Sequence, residues 1–137
     1  MKITLYSQKT IGEVKQEFTK TFPFLKIEFF KRKHNPGQGS PILEEIEPTH
    51  QLIDVSGVLK EGAIELDPTD TVKDVEQRFQ CQYGLPVQIF RRQNGLWMET
   101  TVTDDLTLRE QNTLGRATSI PLKSRTNKMG EHYMGWQ

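Results

Sequence analysis

The chain has 137 residues, 34% of them hydrophobic, which fits one domain with a compact core plus substantial loop or tail. Eighteen basic and eighteen acidic side chains cancel, so any electrostatic partnership must rest on local clusters and not on a global field. The single Cys81 excludes an intrachain disulfide and a multi-cysteine metal site, and His34, His50 and His132 lack the i, i+4 spacing of a zinc pair.

The chain opens with Ile3-Thr4-Leu5-Tyr6, which alternates like a strand and turns polar without a signal-peptide apolar region. No stretch approaches the ~20 apolar residues needed to span a bilayer, so the expectation is a cytoplasmic, reducing location. Thr10-Ile11-Gly12-Glu13 has the form of a capping box, with a hydroxyl at the N-cap and a carboxylate three residues on. Ile11, Val14, Phe18 and Phe22 follow at helical spacing, and Pro23 stops the helix. Leu25, Ile27 and Phe29 alternate as a second strand. His34 to Pro41 reads as a long loop, and Ile42-Leu43-Glu44-Glu45-Ile46 as the returning strand. His50-Gln51-Leu52-Ile53-Asp54 is a short local turn.

The same order then recurs. Ile64-Glu65-Leu66 is a strand, Thr71-Val72-Lys73-Asp74 a second capping box, and Val72, Val75 and Phe79 a buried stripe ended by Gly84. Cys81 falls on this helix among polar neighbours and reads as a structural thiol. Val87-Gln88-Ile89-Phe90 is a strand, Gln93-Asn94-Gly95 a tight hairpin turn, and Leu96-Trp97-Met98-Glu99-Thr100 its return. Asp104 to Glu110 reads as a capped turn or short helix, with Asp104 or Asp105 as N-cap. Thr118-Ser119-Ile120-Pro121-Leu122 suits an edge strand. Residues 123–137 read as a flexible tail in which Tyr133, Met134 and Trp136 are candidates for docking.

Ile3, Leu5, Thr10, Ile11, Val14, Phe18 and Phe22 match Ile64, Leu66, Thr71, Val72, Val75, Phe79 and Tyr83 at an offset of 61. Ile27 to Arg32 then match Val87 to Arg92 at an offset of 60. The expected fold is α+β: two pseudo-symmetric βαββ repeats, about 1–58 and 62–115, in one domain spanning 1–122. They would form a mainly antiparallel or mixed sheet with helices packed on one face.

Phe22 to Phe30, Tyr83 to Arg91, Leu96 to Thr101, Thr107-Leu108 and Gln111-Asn112 together resemble an uncharacterised family of small bacterial proteins, best represented in the Bacteroidetes. The resemblance covers roughly residues 1–115. It implies a fold and no activity, and it leaves residues 116–137 outside. The order Asp70 to Val75, Gly84-Leu85-Pro86, Asp105 to Leu108 and Asn112 is similar to ubiquitin-like β-grasp domains. That likeness implies conjugation at a terminal Gly-Gly, which the ending Met134-Gly135-Trp136-Gln137 does not supply.

Chemistry is sparse. The carboxylates Glu44, Glu45, Glu47, Glu99, Asp104 and Asp105 show no cleft that would separate an acid from a base. Gly37-Gln38-Gly39 precedes a strand and not a helix, unlike a phosphate loop. The functional lead is a binding surface made of Lys31, Arg32, Lys33, Arg91 and Arg92 at the ends of the matched strands, with Phe30, Phe90 and Trp97 nearby. Basic groups interleaved with aromatics hold phosphates and stack bases, whereas basic strand ends alone serve to block edge pairing. The expectation is a small soluble non-enzymatic protein with a protein partner or a homodimer seam. Nucleic acid is the alternative partner, and neither a membrane nor a small-molecule cofactor is expected.

Overall fold

Both threonine caps start helices where the sequence places them, the first as a full capping box and the second through its hydroxyl alone. In the computed structural model, which describes residues 1–33 and 42–119 without the side chains of residues 32, 33, 42 and 43, α1 (Ile11–Thr21) begins after Thr10. Thr10 Oγ1 accepts from Glu13 N–H, and Glu13 Oε1 accepts from Thr10 N–H at 2.8 Å. Thr71 caps α3 (Val72–Tyr83) by its hydroxyl, which accepts from Asp74 N–H. Gly84 ends α3 in the left-handed conformation, at φ 64°, that glycine adopts with little cost.

Strands β1 (Lys2–Leu5) and β4 (Gly62–Glu65) make a two-stranded antiparallel sheet centred near Ile3 opposite Ile64. Strands β2 (Leu25–Lys33), β3 (Ile42–Glu45), β5 (Val87–Gln93) and β6 (Leu96–Glu99) make a four-stranded antiparallel sheet in the order β3-β2-β5-β6. In its central pairing Glu28 lies opposite Gln88. The offset of 61 maps Ile3 onto Ile64, and the offset of 60 maps Glu28 onto Gln88. One matched pair of the sequence repeat is therefore directly opposed in each antiparallel pairing, Ile3 with Ile64 and Glu28 with Gln88.

Leu25, Ile27, Phe29, Val87 and Ile89 point from the larger sheet into one core cluster with Val14, Phe18, Val75 and Phe79. Phe29 meets Phe79 edge to face with centroids 6.1 Å apart. The helices pack against the β2 and β5 strands, leaving the alternate side chains of those strands on the other face. Between β5 and β6 the turn is Asn94-Gly95, both with positive φ (51° and 82°), the geometry that a two-residue hairpin requires. No helix among the described residues is long and apolar enough to cross a membrane.

Three expectations change at the C-terminal side. The turn after β6 is a 3-10 turn (Thr101–Thr103) followed by a full helix, α4 (Leu108–Ser119), while its counterpart α2 (Ile53–Ser56) is one turn. Thr107, and not Asp104 or Asp105, caps α4: its Oγ1 accepts from Glu110 N–H, and Glu110 Oε1 accepts from Thr107 N–H. Asp104 instead gives its carbonyl to Lys73 N–H. Thr118 and Ser119 are helical, so no edge strand starts at Thr118. The loop from His34 to Pro41 and the tail 123–137 lie outside the described residues.

Candidate interaction surface

Alternation along β2 and β5 places Lys26, Glu28, Phe30, Gln88, Phe90 and Arg92 on the face away from the core. The antiparallel register then sets Lys26 beside Phe90, Phe90 beside Glu99, and Arg92 beside Trp97. Lys26 Nζ lies 5.2 Å from the ring centroids of both Phe90 and Trp97, and Arg92 Cζ lies 5.3 Å from Trp97. These are cation–π distances, so the two rings and two cations hold each other in place.

Glu28 anchors the cluster from beneath. Its carboxylate is almost wholly buried and accepts from Lys15 Nζ at 2.8 and 3.0 Å and from Lys26 Nζ at 3.0 Å. Burial works to raise the Glu28 pKa, but the hydrogen bonds and charges of Lys15 and Lys26 outweigh it and hold the carboxyl below its ordinary value. Lys26 is thereby fixed between an anion and two aromatic faces. Sequence reasoning missed Lys15, Lys26 and Glu28, because their grouping depends on the long-range β2–β5 register.

Of the sequence-derived set, Phe90, Trp97 and Arg92 come together, and Phe30 lies on the same face opposite Glu45. Arg91 and Lys31 do not join them. Arg91 turns to the helix side, where Nη1 donates to Gln111 Oε1 at 2.6 Å and Nη2 to Gln93 Oε1 at 2.8 Å. Its Nε is buried without a hydrogen-bond partner, and burial lowers its pKa. Lys31 lines an open depression of about 610 Å³ together with Glu44, Glu45, Glu47, His50 and Asp54, an environment of mostly acidic groups. The side chains of Arg32 and Lys33 lie outside those described. Of the remaining carboxylates, Glu99 shares the outer face with Phe90 and faces solvent. Cys81 is an exposed free thiol on α3.

The edge of the sheet adds a second feature. β6 pairs with β5 alone, and among the described residues no strand pairs with its other side. Leu96 is 67% exposed and Met98 43% exposed, with Leu114 of α4 and Val102 also large apolar side chains in solvent. The opposite edge strand, β3, ends instead in the exposed Glu44 and Glu45. No group of three or more His, Cys, Asp or Glu among the described residues is arranged to hold a metal ion.

Comparison with protein-family models, with curated proteins and with solved structures finds no match to this chain. Its surface must therefore be interpreted from its own chemistry.

Proposed function

We propose that this protein is a non-enzymatic binding module that engages another protein chain through β6 and the aromatic–cationic face beside it. The observation that carries the reading is the edge of β6 that no strand among the described residues pairs with, with Leu96 and Met98 exposed on one face of the strand and Trp97 on the other. Natural sheets guard such edges with lysine, proline, a bulge or a covering element, and β6 has no lysine or proline of its own. An open edge flanked by apolar side chains suits strand addition, in which main-chain hydrogen bonds give affinity and alternate side chains give specificity.

A second reading, single-stranded nucleic acid on the outer face, is favoured by the rings of Phe90 and Trp97 beside Lys26 and Arg92. Charge weighs against it. Lys15 and Lys26 already share the buried Glu28, which leaves Arg92 as the cation of this cluster that no ion pair among the described residues neutralises. Affinity capture from native lysate, with and without nuclease, separates the readings. The module reading expects nuclease-resistant protein partners whose recovery falls at least tenfold for Met98→Glu. Capture that vanishes with nuclease would displace it. So would binding of a labelled oligonucleotide that Lys26→Gln and Arg92→Gln abolish and that weakens with salt at a log–log slope near −0.7 per phosphate contact.

A further inference from the structure

We infer that β6 pairs edge to edge with β6 of a second copy of this chain, with Met98 on the two-fold axis. The inference rests on the reading of the β6 edge as the binding surface and names its partner. Which backbone groups of β6 are free follows from β5. Arg92 N–H donates to Phe24 O on the β2 side, while Ile89 O accepts from Thr100 N–H on the β6 side. Backbone groups alternate along a strand, so Ile89, Arg91 and Gln93 face β6, and Phe90 and Arg92 face away from it. Met98 and Leu96, opposite Arg91 and Gln93, therefore turn their backbone groups to β5. Those of Trp97 and Glu99 point outward.

An antiparallel copy centred on Met98 sets Trp97 opposite Glu99 of the second copy, and Glu99 opposite its Trp97. Both are hydrogen-bonded pairs, so the outward N–H and C=O of both residues find partners in this register. A slip of one residue opposes outward groups to inward ones and bonds none of them, and it carries every side chain to the wrong face. A slip of two leaves one of the two residues without its partner on β6.

The side chains agree with the same register. On the outer face, Glu99 stands next to Trp97 of the second copy, whose ring lies under that copy's Arg92, so carboxylate approaches guanidinium across the seam. On the inner face Met98 meets Met98, and the exposed Leu96 lies at the margin. The two four-stranded sheets would join into one continuous sheet. A four-residue strand makes a small interface, so the dimer is expected to be weak and reversible.

The test uses the full chain with Cys81→Ser, which removes the exposed native thiol. Sedimentation equilibrium up to about 1 mM protein covers the range of weak association. A monomer–dimer equilibrium is expected, and Met98→Glu should raise its dissociation constant at least tenfold by placing like charges opposite each other. The melting temperature should not change, because Met98 is exposed. In a non-hydrogen-bonded antiparallel pair the Cα atoms are about 4.5 Å apart, within disulfide range. Met98→Cys should therefore cross-link under mild oxidation, while Leu96→Cys and Val102→Cys should not.

A chain that stays monomeric throughout overturns the inference, as does a dimer indifferent to Met98→Glu or one that cross-links better at position 96 or 102. If the chain is monomeric but Met98→Glu still abolishes capture of another protein, the second copy is the wrong partner and the binding surface stands. If Met98→Glu affects neither, both readings fail.

Discussion

Replacing Glu76 by Gln should change how stability depends on pH, because this carboxyl does a backbone's work in an unfavourable place. β6 leaves β5 after Glu99, so the Ile89 N–H takes a side chain in place of a strand partner, and the Ile89 carbonyl gains a side-chain donor beside the Thr100 N–H. Glu76 Oε2 accepts from Ile89 N–H at 2.8 Å, and Thr100 Oγ1 donates to Ile89 O at 2.7 Å. Burial pushes the Glu76 carboxyl from 4.5 up to about 7; the Ile89 hydrogen bond opposes the rise, and the negative charges of Asp104 and Glu99 add to it. Between pH 4.5 and about 7 the folded chain thus holds a proton that the unfolded chain has released. Stability from this group is complete below 4.5 and is lost as pH rises through about 7. A rise of about 2.5 pKa units corresponds to a ceiling of about 3 kcal/mol, and solvent screening of a half-buried group brings the expectation to about 2 kcal/mol. The glutamine side chain would keep an oxygen for Ile89 N–H and carry no charge. Urea unfolding of both proteins from pH 5 to 8.5 isolates the effect as a difference. The two should be similar near pH 5, and Glu76→Gln more stable by about 2 kcal/mol at pH 8.5, roughly 5–10 °C in Tm. Parallel curves across that range would refute the reasoning.

Two further perturbations test the packing. Phe79→Ala and Phe18→Ala each remove a fully buried ring from the core and should cost about 3–5 kcal/mol in chemical denaturation; a loss below about 1 kcal/mol at either site would contradict the shared core. Gly115→Ala pits helix propensity against space. A Cβ there would stand 2.9 Å from Phe24 Cβ and 3.0 Å from Phe24 O, so the gain of about 1 kcal/mol in propensity should be reversed into a net loss of about 1–2 kcal/mol. A stabilised variant would show that α4 can shift at no cost.

The elements legible in the sequence were those whose signals are local. Thr10 and Thr71 cap their helices because a hydroxyl followed by a carboxylate satisfies free N–H groups wherever the chain permits it, and Asn94-Gly95 turns because it tolerates positive φ. α4 was hidden because Leu108 is the one large apolar residue among its buried positions. Gln111 is fully buried yet donates to Thr103 and accepts from Arg91, and Gly115 packs against Phe24, so two of the three buried positions carry no large apolar side chain to mark the helix. Its cap was legible all the same, since Thr107-Leu108-Arg109-Glu110 has the same form as Thr10-Ile11-Gly12-Glu13. Treating Arg91 and Arg92 as one basic pair overlooked the two-residue period of a strand, which sends them to opposite faces. Lys26 reaches Phe90 and Trp97 only through the β2–β5–β6 register, which no local pattern encodes.

The two halves differ where their frameworks correspond, and the difference locates the exposed edge. Lys15 and Glu76 occupy matched helix positions at the offset of 61. Lys15 extends to Glu28 and braces the outer face, whereas Glu76 turns to Ile89 and closes the gap that β6 leaves. Ile46 N–H binds Phe29 O just as Thr100 N–H binds Ile89 O, so both third strands depart from the sheet at corresponding points. The chain then treats them differently. β3 ends in two exposed carboxylates, Glu44 and Glu45, while β6 presents Leu96, Trp97 and Met98 ahead of one, Glu99, beside a long helix. A framework that stabilises both halves alike has no need of that asymmetry, whereas the binding edge proposed for β6 does.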